Sequence, residues 1–213
     1  RGINTGSWAD IYDNTLIGID NSNWAIYSEQ YATVQNNTAT NFALGIHMDG
    51  GRDAIIENNY IEHRGWGLYA EGSYGEYVLR NNEFVKSGNQ GDWFVYATNM
   101  DNIIIEDNTF VGDGGSGFYI NNTAADINRN LLVTPGRGIE IVNQAGTMVS
   151  QNTIIGNNGD YGIHISNLSA PSVYSNIIQG FQTGIYADND LFNTELQNND
   201  LWMISGNDFE GSA

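Results

Sequence analysis

Five tyrosines, two histidines and a glutamate recur at matched positions along this chain: Tyr27, His47, Tyr69, Tyr96, Tyr119, Glu140, His164 and Tyr186. Most follow a small residue and an apolar one and precede another apolar or small residue, as in Gly67-Leu68-Tyr69-Ala70 and Gly117-Phe118-Tyr119-Ile120. Alternation with a period of two describes a strand buried on one face, so these eight side chains share the outward face. A row of rings with polar tips makes a flat amphipathic strip. Sugar rings pack on such a surface through their C–H faces while their hydroxyls bond the tips. The plainer account is that Tyr favours strands and steadies sheets by cross-strand pairing.

Two residues further on, Glu29, Asp49 and Glu71 head a second outward row that continues through Thr98, Asn121, Val142, Ser166 and Asp188. Three carboxylates one rung apart repel one another, which raises a pKa or recruits a cation. An all-oxygen set suits Ca²⁺, whose coordination is flexible. Solvated carboxylates at a strand end are the simpler expectation. Together His47, Asp49, Tyr69 and Glu71 form the best constellation for acid–base chemistry. Removing the proton next to a uronate carboxylate needs a base such as Tyr or His and a cation to neutralise the carboxylate. Lys86, the one lysine, lies four residues after Asn82, as His63 lies four after Asn59, so the two are expected to stack, with Arg64 beside them. This makes a basic spot that could serve catalysis, although charges on a solvated turn are the expected reading. Trp24, Trp66, Trp93 and Tyr161 stand just before the Tyr/His strands and are expected to pack turns rather than meet a ligand.

What positions these residues is a repeat. An Asn followed two residues later by an apolar or small residue occurs at Asn14, Asn37, Asn59, Asn82, Asn108, Asn130, Asn152, Asn176 and Asn199. Three residues before each lies another apolar position, from Ile11 and Val34 to Val173 and Leu196. A period near 23 with short strands in every turn predicts an all-β solenoid of about nine coils of 22–26 residues. Coils stacked ~4.8 Å apart bring equivalent residues into ladders. An Asn ladder can then donate to one neighbouring coil and accept from the other.

The pattern resembles the right-handed parallel β-helix superfamily, the pectate-lyase-like proteins, over residues 1–213 as a single domain. That resemblance implies a secreted or cell-surface protein with polysaccharide as its usual ligand class. The signatures of polygalacturonases, mannuronan epimerases and pectate lyases are missing. Composition agrees with the fold: 26 Gly, 2 Pro and abundant Asn disfavour long helices. A net charge of -18 excludes nucleic acid and anionic membrane as natural partners. Cys is absent, and no apolar run approaches the ~20 residues of a membrane span. The chain opens without Met and inside the repeat pattern, so a longer parent chain is expected. Three functions follow: a carbohydrate-binding module using the Tyr/His row, a polysaccharide lyase or glycoside hydrolase, and a stalk, adhesin or filament subunit assembling end to end through open strand edges.

Overall fold

In the computed structural model, residues 2–19, 23–72, 74–88, 92–167, 169–188 and 194–211 are described. Their strands pair in parallel, each with its counterpart one coil away. A nine-stranded sheet runs from Asp10–Tyr12 to Glu195–Gln197, and a 17-stranded sheet carries the other two strands of the coils. Eight intervals separate the nine ladder asparagines, so the rod makes about 8 turns rather than nine full coils. Two strands turn the corner without a break, Thr153–Ser166 and Ile177–Ala187.

The register realises the expected ladders. On the nine-stranded sheet Ile56, Leu79, Ile105, Ile127 and Val149 align one above another and are essentially inaccessible. Phe84 and Phe110 stack in the next ladder with centroids 5.2 Å apart. Leu68, Val95, Phe118 and Ile139 complete the interior from the middle strands. Each such side chain contributes about 1.5–3 kcal/mol on burial.

The Asn ladder is a continuous buried chain of amides. Asn108 donates from Nδ2 to Leu79 O at 2.8 Å, to Glu106 O at 2.9 Å and to Asn130 Oδ1 at 3.0 Å. Its own Oδ1 accepts the backbone N–H of Asn82 at 2.9 Å and the Asn82 amide at 3.0 Å. Side-chain links of 2.9–3.0 Å join all nine asparagines. The residue preceding each one is left-handed, with φ between 53° and 58° from Asp13 to Asn198. Asn and Asp tolerate that region best, and they fill six of the nine positions. Arg129, Gln151 and Ser175 take it without that preference, held by the same ladder bonds.

A second constraint explains the small residue before each Tyr/His strand. A Cβ on Gly117 or Gly138 would lie 2.1 Å from the carbonyl oxygen of the next coil. Backbone therefore meets backbone at this corner.

Replacing Asn108 by Ala removes three donated bonds and strands the Asn82 N–H. Each buried group left unpaired costs ~1–3 kcal/mol. Asn108→Ala is expected to lose about 3 kcal/mol or more, a fall of ~10 °C in melting temperature for a domain of this size. Asn108→Asp, which keeps the acceptor but cannot donate, should also fall. Circular dichroism melts of the three proteins provide the measurement.

Candidate functional site: an aromatic strip on the outer face

Each middle strand buries two residues in succession, such as Ala25-Ile26 in Trp24–Ser28 and Phe94-Val95 in Trp93–Thr98. The residues on either side of that pair, three apart in sequence, therefore lie on the outer side of the coil. Glu140, His164 and Thr183 are buried there, which corrects the expected exposure of Glu140 and His164. Two parallel lanes result. One is the expected row, in register from Tyr27 through His47, Tyr69, Tyr96, Tyr119, Glu140 and His164 to Tyr186. The other contains Trp24, Leu44, Trp66, Trp93, Ser116, Arg137, Tyr161 and Thr183.

The tryptophans of the second lane pack against rings of the first lane. Trp24, Trp66 and Trp93 are partly buried, and their rings lean on the first lane. Trp24 lies 4.7 Å from His47, Trp66 lies 5.0 Å from Tyr69, and Trp93 lies 5.4 Å from Tyr119. Tyr69, Tyr96 and Tyr119 stack with centroids 5.0 and 5.1 Å apart and near-parallel planes. Atoms in contact sit ~3.5–4.0 Å apart. Rings this far centre to centre are therefore offset like roof tiles, and part of each face stays uncovered. The constant spacing of three residues before Tyr27, Tyr69, Tyr96 and His164 was a signal visible in the sequence.

A third lane carries the acidic row. Glu29, Asp49 and Glu71 are exposed, while Thr98, Val142 and Ser166 are buried, which corrects their placement on the outer surface. The carboxylates are tied to the ring lane: Tyr27 donates to Asp49 Oδ2 at 2.6 Å and Tyr69 to Glu71 Oε2 at 2.5 Å. Glu29 accepts from Ser7 Oγ at 3.4 Å. Hydrogen bonds to Asp49 and Glu71 push the Tyr27 and Tyr69 phenols up to about 12. Among the described residues, no three His, Asp or Glu side chains converge as a metal site.

Farther along, the strip becomes charged. Arg137 donates to Glu140 Oε2 at 2.7 Å and lies 4.0 Å from Asp160. His164 bonds Asp188 Oδ2 at 3.0 Å through Nε2 and faces Glu140 Oε1 at 3.4 Å through Nδ1. Tyr161 and Tyr186 stack beside them at 4.6 Å. Burial opposes charge on His164, but Glu140 and Asp188 outweigh it and raise its pKa. Burial lowers the pKa of His47 against the weaker pull of Asp49 and Glu71. The two histidines of one lane thus shift in opposite directions. This charged network was not anticipated, although Glu140 and His164 belonged to the expected row.

His63 and Lys86 do stack, in parallel register, but inside the coil rather than on a solvated turn. Both occupy inward strand positions two residues after Ile61 and Phe84. Lys86 Nζ donates to Asp92 O at 2.5 Å and lies 5.9 Å from the Phe94 ring centre. Burial brings its pKa down to about 8. His63 contacts Gly65 O through Nδ1 at 2.9 Å, and burial with Lys86 nearby lowers its pKa to about 3. Arg64 turns away and donates to Asn41 Oδ1 at 2.8 Å. The structure therefore brings together His47, Asp49, Tyr69 and Glu71 on the surface and separates them from His63 and Lys86 by the sheet.

These features define a parallel β-helix with a ring-lined outer strip. A family model described as a right handed beta helix region matches residues 2–154, and the chain belongs to that family. Searches of curated proteins and of solved structures find no match. No helix among the described residues is long and apolar enough to cross a membrane.

The histidines predict opposite pH dependences. His63 has a depressed folded pKa, so its contribution to stability is complete above pH 6.5 and is lost as pH falls toward about 3. The folded pKa of His164 is raised, so its contribution is complete below pH 6.5 and is lost as pH climbs through the raised value. Melting temperatures across this range should show the wild type gaining on His63→Leu with rising pH and losing its margin over His164→Gln.

Proposed function

We propose that this chain is a carbohydrate-binding β-helix module of a secreted or cell-surface protein, with the paired aromatic lanes as the contact face. The observation that carries the reading is the set of Trp24, Trp66 and Trp93, partly exposed beside Tyr27, His47, Tyr69, Tyr96 and Tyr119 over consecutive rungs. Single exposed rings on a protein surface need no explanation; a continuous ring-lined strip does. A long, shallow, ring-paved strip suits an extended chain of sugar units better than a small molecule, which favours an enclosing pocket. A recess lined by Asn4, Asn23, Trp24 and Tyr27 continues the strip toward the N-terminal end.

The lyase or hydrolase reading has less support on the same strip. Its two carboxylate-bonded phenols are pushed up to about 12, far from a base that works near neutrality. Lys86 and His63 are buried away from the surface.

Binding to a glycan array by the wild type, Trp66→Ala, Tyr69→Ala and Tyr119→Ala tests the proposal. A ring lost from a stacking surface is expected to weaken binding by about 1–2 kcal/mol, roughly five- to thirtyfold. Unchanged binding by all three variants removes the strip as the contact face.

A further inference from the structure

The charge beside the rings separates one class of glycan from the rest. Glu29, Asp49 and Glu71 lie one coil apart along the edge of the strip and are exposed. None of them has an ion-pair partner among the described residues. Asp49 and Glu71 are held against the ring lane by the hydroxyls of Tyr27 and Tyr69, so their charge is fixed at the margin of the aromatic surface. A hydroxyl bond uses one acceptor site, and an ionised carboxylate has about four.

The other half of the strip differs. There Glu140 and Asp188 are met by Arg137 and His164, while Asp160 and Glu210 add further carboxylates to that half. Beside the indoles the exposed carboxylates have no ion-pair partner among the described residues. The whole chain carries -18, which repels polyuronates and sulfated glycans at long range. Ring faces bordered by carboxylates are the chemistry that holds an ammonium group, through cation–π attraction on one side and ion pairing on the other.

Building on the aromatic strip as the contact face, we infer that its ligand is a polycationic glycan: a hexosamine polymer with free amino groups. The sugar rings lie on Trp24, Trp66, Tyr69 and Tyr96. The protonated amines face Glu29, Asp49 and Glu71. Successive rungs present successive carboxylates, so a polymer with repeated amines makes several weak contacts at once and gains avidity from their linkage.

The test is titration of the whole chain with a free-amine hexosamine oligomer, its fully N-acetylated counterpart and a neutral hexose oligomer. It is run at about pH 5.5, between the ordinary carboxylate and amine ranges. The free-amine oligomer is expected to bind roughly tenfold or more tightly than the other two, as two or three half-exposed ion pairs would supply. That margin should shrink as salt is raised. Glu29→Gln/Glu71→Gln should abolish most of it, whereas Glu83→Gln/Glu195→Gln, with the same net charge and substitutions on other strands, should keep it. Equal affinity for the acetylated or neutral oligomer overturns the inference and leaves the strip as a glycan site. Failure of the free-amine oligomer to bind at all also overturns it, whatever else binds on the array. Free-amine binding that survives Trp66→Ala and Tyr69→Ala unchanged is bulk attraction to an acidic protein, and it overturns both the inference and the contact face.

Discussion

The chain of buried asparagine amides is the interaction on which the rest of this structure depends. From Asn37 to Asn199 each Oδ1 takes two donors from one neighbouring coil, and from Asn14 to Asn176 each Nδ2 reaches a carbonyl and an amide oxygen. That arrangement allows one axial offset between coils, because a slip of one residue would leave every one of these buried groups without its partner. It also holds nine non-glycine residues in left-handed backbone, from Asp13 to Asn198. Once the offset is fixed, apolar residues must fall on apolar residues and outward residues on outward residues. The ring lanes of the surface are thus set by a polar ladder in the interior.

Three histidines in one fold occupy three different electrostatic settings. His63 is enclosed with a lysine and kept neutral. His47 is packed among Trp24, Tyr27 and Tyr69, where burial prevails over two nearby carboxylates. His164 has similar burial, but Glu140 and Asp188 lie in direct contact and charge is favoured. What separates the last two is geometry rather than composition. Asp49 and Glu71 make their short contacts with phenols, whereas Asp188 bonds the imidazole as well as the Tyr186 phenol.

Much of this was legible in the sequence because a solenoid converts a one-dimensional period into three-dimensional adjacency. The Asn positions, the Ile56-Leu79-Ile105 ladder and the outward row all follow from spacing alone. The left-handed corners were also written there, in the Asn-Asn and Asp-Asn doublets at Asn36, Asn58, Asn81 and Asp107, but a doublet in an Asn-rich chain attracts little notice. Lys86 and His63 were misplaced because their charge outweighed their parity. Two residues after an inward Phe84 or Ile61 is again inward, and the backbone period decides orientation before side-chain polarity does. The second aromatic lane needs the consecutive inward pair at each corner. Simple alternation does not contain that feature.

The near-constant interval between coils also bears on how the chain reaches this state. Ladder partners lie 22 to 26 residues apart everywhere along the rod. Closing a loop of that length carries nearly the same entropic cost at either end, because the cost grows only with the logarithm of loop size. No rung waits on a contact between distant parts of the chain, as the strands of a sandwich do. Once a few coils have formed a template, each further coil adds by closing one loop of ordinary size, and propagation proceeds rung by rung from wherever it began. Lengthening such a rod adds steps to folding without raising the barrier of any one of them.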